Sequence, residues 1–526
     1  MTDPAAERTV PRMVAAAVAR YGRRTAVEDG DVRLTFEALD AAGRRAARAF
    51  LAEGIAHGDR VAIWGPNVAE WVVAAIGAQS IGAVLVPIST RNKGAETAYA
   101  LGKSRARVLC TIAGFLDTDY VGMLAGHDLP ALERIVMLRG EAPGAQRWEE
   151  FLAAGERASD ADVQARADAV APDDLADMLF TSGTTGRPKG VLCAHGQNLE
   201  AFEVWSGWVG LREGDRYLVV APFFHSFGYK AGWLSALMRG ATIFPHPVFD
   251  AEEVLARIER ERITVLPGPP TIYQSLLAVP NWRDYDLTSL RLAVTGAAAI
   301  PVELVHQMRD ELGFETVLTA YGLTESCGVV SVCDPSDDAE TIATTSGKAI
   351  PGTEVRCVDP DGKEVPRGAP GEIWVRGYNV MRGYFDAEEQ TREAIDAEGW
   401  LHTGDVGVMD ERGYLRITDR IKDMFIVGGF NCYPAEVENL MFAHEAIAQI
   451  AVIGIPDVRM GEVGMAFVVP APGHAPTPES ITAWCREEMA NYKVPRRIEI
   501  VPSLPVNAAG KVDKVELRRR AAGGRA

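Results

Sequence analysis

No two cysteines in this 526-residue sequence are spaced C-x-x-C, and their number, seven, is odd. They stand at 110, 193, 327, 333, 357, 432 and 485. That pattern argues against a structural zinc and against a disulfide scaffold. Unpaired thiols suit a reducing cytosol, so a cytoplasmic location is expected. The start, MTDPAAERTV, has early charges and no apolar stretch, so no signal peptide is expected. Positive charge is also in deficit. Lys and Arg number 54 against 72 Asp and Glu, a net charge of −18. Such a chain repels nucleic acid and anionic membranes at long range, and neither is expected as a partner. The basic end at 518–520 reads as a solvated tail. One stretch, 71–90, is uncharged over a bilayer-spanning length. It holds Gly77, Gln79, Ser80, Gly82 and Pro87 and ends in the β-like AVLVP, so a buried helix running into a buried strand is expected rather than a membrane span. No internal repeat or low-complexity tract is present.

What is present is an ordinary globular composition, 47% apolar and 24% charged, with length for several domains. The region 145–172 reads as surface helix and loop. Beyond it, short apolar runs alternate with amphipathic stretches. Residues 263–266, 292–294 and 316–319 read as strands, with helices over TIYQSLL and from Pro301 onward. Strand, turn, helix, strand in sequence implies crossover connections and mostly parallel sheets. After about 345, turns separate EVRCVD, GEIWVRG and GYLRITD, the pattern of a small antiparallel unit. The expected class is α/β: a large N-terminal domain of mixed and parallel sheets flanked by helices, plus that antiparallel unit, followed by a small mobile α+β C-terminal domain. The expected limits are 1–420, a hinge at 421–423, and 424–526, where a helix is expected over 434–444 from the spacing of Val437, Leu440 and Met441.

The chemistry concentrates in a few strings. TSGTTGRPKG, from Thr181 to Gly190, carries three glycines that let backbone N–H groups face an anion. Ser182, Thr184 and Thr185 add hydroxyls beside Gly183 and Gly186, and Lys189 adds a cation. This is a polyphosphate cradle. It is not a Walker A loop, because G-x-x-x-x-G-K-[ST] does not fit and a strand-like run follows. The other strings are YGLTE at Tyr321 to Glu325, Thr403-Gly-Asp405, RIKD at Arg420 to Asp423, GGFN at Gly428 to Asn431, and NAAGK ending at Lys511. Taken singly they are weaker. Glu325 reads equally as a helix N-terminal charge, the Asp405 and Gly428 strings as ordinary turns, and the 420–423 string as a surface charge cluster.

Together these strings resemble the adenylate-forming superfamily of acyl-CoA synthetases, peptide-synthetase adenylation domains and luciferases. The resemblance covers nearly the whole chain and implies the cofactors ATP, coenzyme A and Mg2+. It implies that Ala320, Tyr321, Gly322 and Thr324 meet adenine and the α-phosphate, with Gly296, Ala297 and Ala298 lining the same site. Glu325 would hold Mg2+, with Thr181 sharing it. Asp405 would bind the ribose hydroxyls, and Arg420 ribose or phosphate. Lys422 would be the hinge, Gly428, Gly429 and Phe430 would line the pantetheine path, and Lys511 would be the catalytic lysine. The implied reaction joins a carboxylic acid to AMP, expels pyrophosphate, and passes the acyl group to coenzyme A.

The acid is read from PFFHSFGYKAGW. His225 matches the family's gate residue, though a lone histidine is more often structural. The stretch lacks the Asp that pairs an amino acid's amine, so an amino acid is disfavoured. Several strings, among them PFFHSFGYKAG and DRIKDMFIVGGFNCYPAEVE, resemble a steroid-degrading branch whose acid is a bicyclic propionate left from rings C and D. Tyr229, Trp233, Tyr273, Cys327 and Gly328 are then candidate walls of a wide acyl pocket. Lys230 reads as a surface or structural lysine, with contact to a ring ketone the alternative. Medium- or long-chain fatty acids, aryl acids, and a non-catalytic nucleotide- or acyl-binding role stay open, as does the oligomeric state, a homodimer included.

Overall fold

The computed structural model describes residues 8–181, 187–296, 300–420, 425–432, 434–441, 443–471, 473–505, 512 and 514–523. The chain divides into two compact units. The first comprises 1–90, 98–180 and 190–419; the second comprises 91–97, 181–189 and 420–526.

The first unit is built on an eight-stranded sheet. Five of its strands, Leu175–Thr181, Val84–Ile88, Arg60–Trp64, Ala106–Ile112 and Arg134–Arg139, lie side by side and pair in parallel. Parallel pairing demands crossovers, and helices supply them. The uncharged stretch at 71–90 forms the helix Ala69–Ser80 and the strand Val84–Ile88, both buried nearly all round. No described helix is long and apolar enough to cross a membrane. In a second layer, Leu292–Gly296 pairs in parallel with Thr316–Tyr321. The strand expected at 263–266 is a short link, with Val265 bridging Tyr217 on one side and Leu292 on the other. The Leu266 N–H donates to the Leu292 carbonyl and, past Pro267, the Gly268 N–H to the Val294 carbonyl, each at 3.0 Å. The antiparallel unit is present as Thr353–Val358, Pro370–Gly377, Leu401–Met409 and Leu415–Arg420.

The second unit centres on a long hairpin, Ile447–Asp457 with Gly461–Pro470. Arg497–Ile500 joins it in parallel and Phe425–Val427 antiparallel. Alternation along the hairpin sends Val452, Ala466 and Val468 into one apolar cluster and Ile453, Met465 and Phe467 into another. That is the period-two signature of a sheet covered on both faces. The helix Pro434–Met441 packs its Val437 and Met441 into the first cluster.

Candidate active site

In open parallel sheets, ligands bind beyond the carboxyl ends of the strands. Here those ends bring expected residues together, since Gly296 lies opposite Ala320. Tyr321 closes its strand, and the chain then folds back on itself. A Cβ at Gly322 would stand 2.3 Å from the Gly328 carbonyl oxygen, so only glycine allows the crossing. Thr324–Ser326 forms a single 3-10 turn, pinned where the Leu323 N–H donates to the Ser326 hydroxyl at 3.0 Å. Cys327 leaves that turn with φ 55°.

Long-range contacts fix this loop. The Tyr321 hydroxyl donates to Asp405 Oδ2 at 2.6 Å, and Asp405 is buried on the strand Leu401–Met409. The Tyr384 hydroxyl donates to Glu325 Oε1 at 3.0 Å, while the Glu325 carbonyl accepts from the Met381 N–H at 2.8 Å. An aromatic ring and a hard oxygen ligand on this loop thus meet a carboxylate from the strand Leu401–Met409. Among the described residues no three His, Cys, Asp or Glu side chains gather as a metal cage. A single carboxylate suits Mg2+, which usually keeps waters and takes its other ligands from phosphates.

Thr181 ends the strand Leu175–Thr181 and Lys189 begins Lys189–Ala194, so a strand and not a helix follows the glycine-rich loop. Ser182, Gly183, Thr184, Thr185 and Gly186 lie outside the described residues, as do Ala297, Ala298, Lys422 and Lys511. Arg420 is described as the last residue of its strand, though not its side chain. Gly428 and Gly429, at φ 55° and 86°, form the two-residue turn between Phe425–Val427 and Phe430–Cys432. Positive φ at both central positions is the tight hairpin geometry that favours glycine. The Phe430 ring lies 5.1 Å from that of Tyr492.

On the acyl side, His225 precedes a π-helix, Phe227–Leu234. Single π-turns are rare and cluster at functional sites. His225 keeps solvent access. Protein packed around it disfavours the charged ring and pulls its pKa below the ordinary imidazole range. Its Nδ1 accepts from the Phe227 N–H at 3.2 Å, which leaves Nε2 as the N–H donor. Tyr229 and Trp233 are fully buried and stack at 5.0 Å, with Trp71 against both. Tyr273 is also buried, but its hydroxyl donates to the Leu266 carbonyl at 2.8 Å and its ring meets Phe314 edge-on. Those are core contacts. Cys327 Sγ lies 3.4 Å from Cys193 Sγ.

Lys230 is not a surface lysine. It is fully buried, and its Nζ lies 3.3 Å from Oδ1 of the equally buried Asp177. Burial alone would push this ammonium down, but the Asp177 carboxylate overrides burial and holds its pKa above the ordinary lysine range. Asn198 donates to Asp177 Oδ2 at 2.5 Å. Reading the sequence missed Asp177 and Tyr384. Asp177 did carry a signal, an acid inside the apolar run ADMLF, because a strand buries a charge only against a partner. Tyr384 carried none, as its role depends on a strand brought in from 59 residues away.

Residues 14–385 match the family model for AMP-binding enzymes, and residues 436–511 match the AMP-binding enzyme C-terminal domain. A 3-[(3aS,4S,7aS)-7a-methyl-1,5-dioxo-octahydro-1H-inden-4-yl]propanoyl:CoA ligase of Rhodococcus jostii is 49% identical, over 97% of this chain and 98% of its own. Its counterpart from Mycobacterium tuberculosis is 51% identical, with the same coverage of both chains. Among solved structures, o-succinylbenzoate CoA synthetase from Bacillus subtilis, bound to a product analogue, superposes with a TM-score of 0.82 at 29% identity, covering 97% of this chain and 98% of that one. The match spans the loop at Tyr321, the sheets that carry it and most of the second unit, and the chain belongs to the AMP-binding enzyme family.

Proposed function

We propose that this protein is an AMP-forming acid:CoA ligase whose acid is the bicyclic 7a-methyl-1,5-dioxo-octahydroindenyl propanoate. The observation that carries the reading is the near-half identity, along 97% of the chain, to two ligases named for that acid. The loop geometry supports the nucleotide half. Tyr321 offers a ring face to adenine, and Asp405, oriented by the Tyr321 hydroxyl, offers two oxygens to the ribose. Thr324 stands at the turn where the α-phosphate would lie, and Glu325, oriented by Tyr384, would hold the metal. Mg2+ when bound supplies charge neutralisation to the phosphates.

A carboxylate is a poor acyl donor because oxide would have to leave. Joining it to the α-phosphorus of ATP expels pyrophosphate and makes AMP the leaving group. That step needs positioning and charge neutralisation more than covalent help from the protein. Lys511 would neutralise charge growing on the α-phosphate and carboxylate oxygens. His225, neutral at pH 7 with Nε2 as donor, would orient the carboxylate. The coenzyme A thiol then attacks the adenylate carbonyl and AMP departs, with the Gly428–Gly429 turn leaving room for the pantetheine arm. Turning at Lys422 would exchange Lys511 for that turn between the two half-reactions.

Release of AMP in the presence of coenzyme A, measured over a panel of acids, tests the reading. The bicyclic dioxo propanoate should turn over best. Faster turnover of palmitate or of an aryl propenoate would reject the assigned acid. If no acid in the panel gives AMP release, a binding role is favoured.

A further inference from the structure

Four buried polar atoms without a protein hydrogen-bond partner among the described residues fall in one interior neighbourhood: Lys230 Nζ, Asp177 Oδ1, Asn198 Oδ1 and Gln79 Oε1. The Gln79 amide spends both donors, on the Tyr229 hydroxyl at 2.7 Å and the Ala176 carbonyl at 3.0 Å, and the Asn198 amide donates to Asp177 at 2.5 Å. The three acceptors left over cannot serve one another. Of these four atoms Lys230 Nζ, with three N–H groups, is the donor, beside the Tyr229 hydroxyl and the unpartnered indole Nε1 atoms of Trp71 and Trp233, and its 3.3 Å approach to Asp177 is an ion pair without hydrogen-bond alignment. Burying a charge in this state costs several kcal/mol unless the geometry is good and the remaining protons are satisfied. A pair kept for stability alone is expected to close; this one leaves N–H groups to spend.

The placement of Lys230 says where they would be spent. It lies on the π-helix five residues after His225, a span of about 7 Å at an ordinary helical rise. That is comparable with the reach of a propionate arm plus one ring. Its Nζ lies 5.9 Å from the centre of the Tyr229 ring, which stacks on Trp233. The Cys327 thiol is pulled down first by its hydrogen bond with Cys193 and then by the positive charge of Lys230. A Cβ at Gly328 would come within 3.1 Å of the Ser226 side chain, so the turn after Tyr321 rests on the start of the same helix. Tyr229, Trp233, Cys327 and Gly328 are the expected acyl walls, and the ammonium lies among them.

We propose that Lys230 is a specificity-determining residue that donates a charge-assisted hydrogen bond from Nζ to a ring ketone oxygen of the acid, with Asp177 holding it in place. The proposal rests on the bicyclic dioxo propanoate being the substrate. A ketone has acceptors and no donors, which complements an ammonium with unspent N–H groups. An aliphatic acid of equal size would leave those groups unpaired, and a site built to hydrogen-bond a substrate discriminates strongly against an analogue lacking the polar group. Because Asp177 keeps Lys230 protonated, it acts as a hydrogen-bond donor and not as a nucleophile toward the ketone.

The test compares kcat/KM for two acids, the dioxo propanoate and the same carbocycle without its ring oxygens, in the wild type, Lys230→Met, and Lys230→Met with Asp177→Leu. The double variant removes both charges and so leaves no orphaned carboxylate if the single variant folds poorly. Discrimination in favour of the dioxo acid should fall by about 10- to 100-fold in the variants, the scale of one hydrogen bond to a charged group, while the oxygen-free acid is used as well as before or better. An equal loss for both acids, or no loss for either, overturns the proposal. A readout on the unaltered enzyme gives an independent check. The ketone stretch of the bound acid should move to lower wavenumber relative to water, and an unmoved stretch overturns the proposal. If the wild type does not use the dioxo acid at all, the assigned substrate fails, and this inference fails with it. If the wild type uses it and the variants still discriminate, only the inference fails.

Discussion

The Tyr321 hydroxyl donates to the Asp405 carboxylate at 2.6 Å, joining residues 84 apart in the chain. On the proposed roles, one residue faces adenine and the other ribose, so the contact aligns the two halves of a nucleoside site before ligand arrives.

Removing that hydroxyl should therefore weaken ATP binding more than it slows the chemistry. A hydrogen bond to a charged acceptor is worth about 1.5–3 kcal/mol, so Tyr321→Phe should raise KM for ATP about 10-fold with a smaller change in kcat. Pyrophosphate exchange at varied ATP measures this. An unchanged KM would show that Asp405 is held adequately by its other contacts.

Tyr384 should act through Glu325. Groups that orient a metal ligand typically change metal affinity about 10- to 100-fold when lost. Tyr384→Phe should therefore raise the Mg2+ concentration for half-maximal activity by about 10-fold while maximal activity at saturating Mg2+ is largely kept. A loss of activity that Mg2+ does not restore would point instead to a displaced loop.

The two half-reactions should separate by mutation. Lys511→Ala should slow adenylation by about 100-fold or more, the scale of one preorganised charge-stabilising group, yet leave thiolation of preformed acyl-AMP near normal. Lys422→Pro should harm thioester formation more than adenylation. Pyrophosphate exchange and single-turnover thiolation distinguish them. Normal exchange in the first variant, or equal losses in the second, would remove the assigned roles.

His195 gives a pH prediction. It is fully buried, accepts from the Val10 N–H at Nδ1, and burial lowers its pKa to about 4. The unfolded chain takes up the proton near pH 6.5 while the folded one does not. Stability linked to this group is therefore complete above about pH 6.5, falls as pH drops, and levels off below about pH 4. It amounts to about 3 kcal/mol at most. Chemical denaturation from pH 7 to 4 should show a shallower decline for His195→Asn than for the wild type, and parallel declines would place the proton elsewhere.

Much of the fold was legible because it is written in local pattern. The alternation in the antiparallel unit and the apolar stretch at 71–90 both formed as their periodicity demands. At 263–266 the expected strand is present as a short link: Val265 bridges Tyr217 and Leu292, and pairing continues past Pro267, where the Gly268 N–H donates to the Val294 carbonyl at 3.0 Å. For Lys230 the sequence left a surface and a structural place equally open. A lysine between Tyr and Ala in a line of letters shows no partner, and only the approach of Asp177 from another strand makes its burial tolerable.

By itself the sequence determined which chemical groups are available: the glycine-rich cradle at Thr181 to Gly190, the carboxylates Glu325 and Asp405, and the lysine at 511. Close spacing along the chain puts those glycines and hydroxyls within one short segment, which is what the expected phosphate cradle asks for. Tertiary structure alone decided that Tyr321 meets Asp405, that Tyr384 meets Glu325, and that Lys230 is closed in with Asp177. Each pairing unites residues 53 to 84 positions apart. Spacing of that length carries no trace of which partners meet. The choice is made in the folded interior, where a polar group without a partner is costly and one with a partner is held in a fixed direction.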